Sequence, residues 1–163
     1  MAEASLKVSG AVTRDCELTE ESLAGIDGRH QIADVSQLDP KRKGRAVTLE
    51  GLLALVGVKP EARWLGLHSS KDDFHASIPL AAVRERAVLI YQLDGRALPE
   101  SAGGPVRFFI PDFAACHTAE VDECASVKFV DHIELTAERG YDNRPHDDQE
   151  HEKLHKNAAN DKR

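Results

Sequence analysis

Residues 87-AVLIYQLDGRALPESAGGPVRFFIP-111 decide the fold class. Ala87 to Leu93 (AVLIYQL) is a run of strand length, apolar without a break as far as Tyr91, the pattern of a buried strand. Asp94-Gly95 is a tight-turn dipeptide. Residues 99–105 (PESAGGP) have loop chemistry, and Val106 to Ile110 reads as the next strand, stopped by Pro111. One strand thus follows another with no crossover helix between them. Strict βαβ alternation is broken, which favours an α+β arrangement over a doubly wound sheet.

Upstream, the clearest helix is 49–56. Leu49, Leu52, Leu53 and Val56 recur at i, i+3, i+4 and i+7 on one face, Thr48 is placed to cap the start, and Gly57 and Pro60 end it. RWLGLH (63–68) and FHASI (74–78) read as strands around the polar turn SSKDD, followed by a short helix from Pro79 to Arg86. SLKVS (5–9) alternates like a strand, and LTEESLAGI (18–26) reads as a short helix capped by Thr19. His30 to Leu38 carries a weaker strand pattern, and KRKGR (41–45) reads as a basic turn. Downstream, Ser126 to Leu135 (SVKFVDHIEL) is the last strand. Trp64 and Tyr91, in apolar strands, are expected in the core, and Asp72-Asp73 in a turn.

The 163 residues suit one domain. Hydrophobic residues make up 41% and charged residues 30%, a balance skewed by the polar C-terminal stretch, so the expected division is a folded domain over 1–137 and a disordered His-containing tail over 138–163. Within that tail His151 and His155 stand i, i+4, a spacing that chelates a metal weakly on a helix, and with His146 they suit a solvated tail better. The net charge of −7 argues against a nucleic-acid partner. No signal peptide and no membrane-spanning run is legible. Cys16, Cys116 and Cys124 are too few and odd in number for a disulfide framework, so the expected location is the cytoplasm.

The segment LDGRALPESAGGPVRFFIPDF (93–113) resembles a signature of the sulfite oxidase-type molybdopterin-binding domain. A strand ends in Asp94-Gly95 and Leu98, a loop carries Gly103-Gly104-Pro105-Val106-Arg107, and an apolar strand ends at Pro111. GRAVTLEGLLALVGV (44–58), SSKDDFHASIPL (69–80), SVKFVDHIEL and the opening LKVSGAV…LTEESL are similar to further family segments in the same order, so the resemblance spans roughly 5–137. It looks most like the small catalytic subunits of the bacterial protein-methionine-sulfoxide reductase type. It implies a mixed-sheet α+β fold, a molybdopterin cofactor, oxygen-atom-transfer chemistry and a small-molecule or redox partner. Arg107, Ser126, Val127 and Lys128 match family positions that line the pterin.

Two departures bear on activity. The family's molybdenum-ligand cysteine lies upstream of a tryptophan whose position is Gly44 here, and counting back gives Asp34-Val35-Ser36, with no cysteine. A soft thiolate suits this metal. Ser36 offers only a hydroxyl in its place. The family asparagine before the glycine-proline-arginine loop is Ala102. No catalytic residue can therefore be named, and whether the chain is an enzyme stays open between a degenerate molybdopterin-dependent oxidoreductase and a non-catalytic binding or accessory module. A third reading is a metal-binding protein using the inserted loop Ala114 to Ala125, with Cys116, His117 and Cys124 completed by His132 or His75, against the plainer reading of buried cysteines and a surface histidine.

Overall fold

The computed structural model describes residues 5–111, 121 and 126–144. Ten strands run in the order β1 (Leu6–Gly10), β2 (Cys16–Leu18), β3 (Gln31–Ile32), β4 (Arg45–Thr48), β5 (Trp64–Ser69), β6 (Phe74–Pro79), β7 (Val88–Leu93), β8 (Arg96–Ala97), β9 (Arg107–Phe109) and β10 (His132–Thr136). Three short helices join them: α1 (Glu20–Ala24), α2 (Leu49–Val56) and α3 (Leu80–Val83).

The strands form two sheets. The first has the order β2-β1-β10-β5-β6; the second runs β3-β4-β7-β8, with β9 also paired to β7. All described pairings are antiparallel except β1 with β10. The expected α+β class is the one found. Leu6, Val8, Leu65, Leu67, Ile78, Ile133 and Leu135 of the first sheet share one core with Val47, Leu89, Tyr91 and Phe108 of the second. Helix α2 adds Leu49, Leu52, Leu53 and Val56 to that core, and Thr48 Oγ1 caps it by accepting the Gly51 N–H at 3.1 Å.

The second sheet is covered on its other face too. Val35, Ala46, Val88, Ile90, Leu98 and Phe109 form a smaller core there. This explains why Val88 to Tyr91 is buried residue after residue rather than alternating: both faces of β7 are dry.

Several local expectations are corrected. Between His30 and Leu38 only Gln31–Ile32 is strand; Asp34 Oδ1 accepts the Ser36 N–H at 2.9 Å and turns the chain into a 3₁₀ turn at Val35–Gln37, which seats Val35 in the smaller core. Residues 126–131 are irregular, because Phe129 takes φ +58° and gives its N–H to the Gly103 carbonyl at 2.8 Å, so β10 begins only at His132. The helix after Pro79 is limited to Leu80–Val83. Strand β2 (Cys16–Leu18), a stretch with no strand pattern in the sequence, pairs with β1. Tyr91 is buried, whereas Trp64 is half-buried on the outer face of the first sheet.

Packed chain continues past 137. Residues 139–144 lie along the outer edge of β6, where Asp142 Oδ2 accepts the Ser77 N–H at 2.9 Å and Asn143 Oδ1 accepts the His75 N–H at 2.8 Å. Arg144 pairs with Asp142 at 2.7 Å, with both side chains buried. Burial alone would raise the Asp142 carboxyl, but hydrogen bonds from Arg144 and from the Ser77 and Arg144 N–H groups hold it below its ordinary range. His146, His151 and His155 lie outside the described residues.

Candidate functional site

The outer face of the second sheet gathers the candidate residues. Strand register places Ala46, Ile90 and Arg107 in one row across β4, β7 and β9, with Val88 and Phe109 in the next. The 33–44 loop lies over this face, pinned by Val35. From that loop Arg42 reaches back so that its guanidinium carbon stands 5.1 Å from the centre of the Phe109 ring.

Arg42 and Arg107 share an unusual state. The Nε of each is buried and has no hydrogen-bond partner. Burial, and then the like charge of Arg42, lower the proton affinity of the Arg107 guanidinium. An unpaired buried donor costs about 1–3 kcal/mol, and two cations held together add repulsion. Both costs are offset when an anion lies between them.

Arg107 and Lys128 converge on Gly103. A Cβ built on Gly103, which has φ +104°, would lie 3.3 Å from Arg107 Cδ and 3.5 Å from Lys128 Cγ. A residue without a side chain leaves room here for the aliphatic stems of both side chains. Lys71 and Lys128 place their Nζ atoms 4.5 Å and 5.8 Å from the centre of the Phe129 ring, and Lys71 is paired with Glu100. Of the other predicted lining residues, Val127 points into the main core and its carbonyl accepts the Phe108 N–H at 2.8 Å, while Ser126 Oγ accepts the Ile110 N–H at 3.2 Å. The structure therefore brings Arg107 and Lys128 together and leaves Ser126 and Val127 as structural ties to β9.

A cavity of about 560 Å³, lined among others by Asp34, Ser36, Lys43, Gly44, Arg45 and Gln92 but by none of Arg42, Arg107 and Lys128, lies between the 33–44 loop and the end of β7. Arg45 is steered by a network within the protein: its Nε donates to Tyr91 Oη at 3.1 Å and to Gln31 Oε1 at 3.3 Å, and Tyr91 Oη donates to Gln31 Oε1 at 2.5 Å. Ser36 thus reaches a cavity, at the place where the family resemblance calls for a thiolate. The Asp34 carboxyl is held low by its hydrogen bonds from the Ser36 side chain and N–H. Gly44 has φ +116°, and a Cβ there would stand 2.4 Å from the Gln92 carbonyl oxygen, so the expected tryptophan has no room in this backbone.

The described cysteine, Cys16, sits on β2 in the other sheet, its thiol raised by burial and by the neighbouring Asp15 carboxylate. Cys116, His117 and Cys124 lie outside the described residues. Among the described residues no set of three or more His, Cys, Asp or Glu side chains is arranged to hold a metal ion. No described helix is long and apolar enough to cross a membrane. Arg42 was missed by sequence reasoning, because KRKGR carries no spacing that separates a cofactor contact from a solvated turn.

No curated protein matches the sequence. Among solved structures, the chain is similar to the sulfane dehydrogenase SoxCD from Paracoccus pantotrophus, with 21% identity and a TM-score of 0.59 over 83% of this chain and 38% of that one. The chain therefore spans well under half the length of that relative, and at this identity the likeness speaks for the fold. Residues 41–143, from the 41–45 turn to the segment beside β6, match the oxidoreductase molybdopterin binding domain. With more than half of its length in that match, and with the fold to go with it, the chain belongs to the oxidoreductase molybdopterin binding domain family.

Proposed function

We propose that this chain is a degenerate member of its oxidoreductase family, one that keeps an anion-binding pocket for the pterin and does not hold molybdenum through a protein thiolate at 34–36. The cofactor makes two demands. Its phosphate needs cationic donors in a closed site, and the buried, unpartnered Nε atoms of Arg42 and Arg107 beside Lys128 fit that demand. Its metal needs a soft ligand, and the two residues of 34–36 that line the cavity, Asp34 and Ser36, offer only oxygen. The orphaned arginine pair is the observation that carries the reading. In it, Arg42, Arg107 and Lys128 bind and orient the anion, and the 33–44 loop shields it from water. No oxidation step is assigned to these residues.

A second reading is a non-catalytic accessory module that uses the same cations for a different phosphate-bearing anion. The serine and Ala102 at two cofactor positions favour it.

Molybdenum and pterin content, measured on protein from a host that makes the mature cofactor, tests both. Pterin without stoichiometric molybdenum supports the first reading. Neither pterin nor metal, where a control family member loads fully, supports the second. Stoichiometric molybdenum overturns the claim that the thiolate is lost. Ser36→Cys is the companion variant: it is expected to raise molybdenum retention.

A further inference from the structure

The outer face of the first sheet carries a row that the proposed function does not use. Lys7, His132, His68 and His75 stand opposite one another across β1, β10, β5 and β6. The next row is Ser9, Glu134, Gly66 and Ser77. Gly66 gives the His68 ring room to lean over it, since a Cβ there would lie 3.1 Å from His68 Nε2.

A chain of hydrogen bonds runs through two of these histidines. Asp73 Oδ1 and His75 Nε2 are 2.8 Å apart, His75 Nδ1 and His68 Nδ1 are 2.8 Å apart, and His68 Nε2 and Glu134 Oε1 are 3.2 Å apart. Each link needs a hydrogen. Two carboxylates bring none, and two neutral imidazoles bring one each. If both rings spend that hydrogen on the carboxylates, two Nδ1 lone pairs point at each other with nothing between them. The chain closes only with one further proton.

The distance also says which cation fits. Zinc–nitrogen bonds of about 2.0–2.1 Å at a tetrahedral angle hold two ligand nitrogens roughly 3.3 Å apart. A separation of 2.8 Å is that of an N–H···N hydrogen bond.

We propose that His68 and His75 share one extra proton between Asp73 and Glu134, and that this proton is the catch that holds residues 139–144 against β6. One end of the hydrogen-bond chain, at Asp73 and His75, is also where that segment is anchored. The Tyr141 ring packs on His75 with centroids 5.0 Å apart. The Asn143 N–H donates to the His75 carbonyl at 2.9 Å, the His75 N–H donates to Asn143 Oδ1 at 2.8 Å, and Asn143 Nδ2 donates to the Asp73 carbonyl at 2.8 Å. The Tyr141 contact is made on the imidazole itself, and the Asn143 bonds hold the His75 and Asp73 backbone beside it.

Other titratable groups surround the pair. From β10, His132 stands 5.1 Å from His68, and its Nε2 is bonded to Ser9 Oγ at 2.7 Å. Burial first, and then His68, depress its proton affinity, with Lys7 acting the same way and Glu134 and Asp131 opposing. From the β5–β6 turn the acidic groups are Asp72 and Asp73, with Lys71 turned to Glu100. In the 139–144 segment Arg139 and Arg144 both face Asp142, at 3.8 Å and 2.7 Å, so this segment sets no lone cation against the histidines.

Raising the pH strips the shared proton and leaves two hydrogens for three links, so one link of the chain is lost. Lowering it far enough puts a hydrogen on both Nδ1 atoms, which then repel. The segment is thus held best in an intermediate pH window. The test is ring ¹⁵N spectroscopy and amide hydrogen exchange on the full chain across that range. The expected result is a proton shared by the two Nδ1 atoms and protection of the Asn143 amide that falls about tenfold when it is lost. His68→Gln should abolish the pH dependence. Asp73→Asn, at a side chain 89% exposed and so harmless to the fold, should shift the loss to lower pH, because the pair then has one carboxylate fewer. The proposal is overturned by Asn143 protection that does not vary with pH while the ring signals titrate. It is equally overturned by both Nδ1 atoms found bare in the docked state, or by stoichiometric zinc capture at the pair when zinc chloride is added.

Discussion

Replacing Arg107 by methionine should make the protein more stable and a worse anion binder. The aliphatic stem of Arg107 lies beside Gly103, and an unbranched thioether of similar length keeps that packing. What it removes is a buried, unpartnered Nε and a like charge facing Arg42. The desolvation of such a donor is worth about 1–3 kcal/mol. Part of the guanidinium still meets solvent, so a gain of about 1 kcal/mol is expected, or a rise of roughly 2–4 °C in Tm for a chain of this size. Anion binding moves the other way. A hydrogen bond to a charged partner contributes about 1.5–3 kcal/mol, so Kd for a phosphate-type anion should rise roughly 10- to 150-fold. Urea denaturation with and without inorganic pyrophosphate reads both effects. At an anion concentration of about 100 Kd the native protein gains about 2.7 kcal/mol, and the variant, with Kd raised roughly 10- to 150-fold, loses about 1.3–2.4 kcal/mol of that gain. The stability order of the two proteins should therefore invert when pyrophosphate is added. If Arg107→Met is less stable without anion, the guanidinium serves the fold and the argument from its orphaned Nε fails. If pyrophosphate stabilises both proteins equally, the anion site lies elsewhere.

Phe108→Ala, at a fully buried position where both sheets meet, should cost about 3–5 kcal/mol, read as a shift in urea midpoint. Asp142 is held below its ordinary value of 3.8, so it contributes stability that is complete above that value and is lost as pH falls through the lower folded one; Asp142→Asn should flatten this acid limb in denaturation curves below about pH 4. His132 is depressed from 6.5, first by burial, so the unfolded chain binds more protons just below that pH and stability rises with pH through the window. His132→Gln should reduce that slope, and an unchanged slope would show that burial of this ring does not govern it.

How much of this could be read from the sequence depended on the range of the interaction. Helix α2 was legible from Thr48 to Gly57 because its cap, its apolar stripe and its stop are all local. The run at 88–91 was legible as a buried strand, since a strand covered on both faces leaves no alternation. Val35 was not legible as a plug, because its turn is made by the Asp34 side chain and its burial by Ile90 and Phe109, distant in sequence. The break before β10 depends on Phe129 bonding back to Gly103, a contact with no local signal. Among the candidate residues, Arg107 and Lys128 were proposed through the family resemblance, whereas Arg42 became a candidate only with Phe109 in place. The alternation in RWLGLH and FHASI fixes which faces His68 and His75 occupy, but the register that puts their Nδ1 atoms side by side is a tertiary fact.

The segment along β6 has a consequence for how the molecule behaves among its own copies. A border strand with unsatisfied N–H groups is a template onto which another chain can add and begin to aggregate. A further strand would only move that template outward by one place. Here the N–H groups of His75 and Ser77 are taken up by the amide of Asn143 and the carboxylate of Asp142, side chains that extend no ladder, and the opposite border is only the short β2. The sheet is terminated chemically. A chain cut after residue 138 would keep its core and lose this seal, and self-association should be the first symptom.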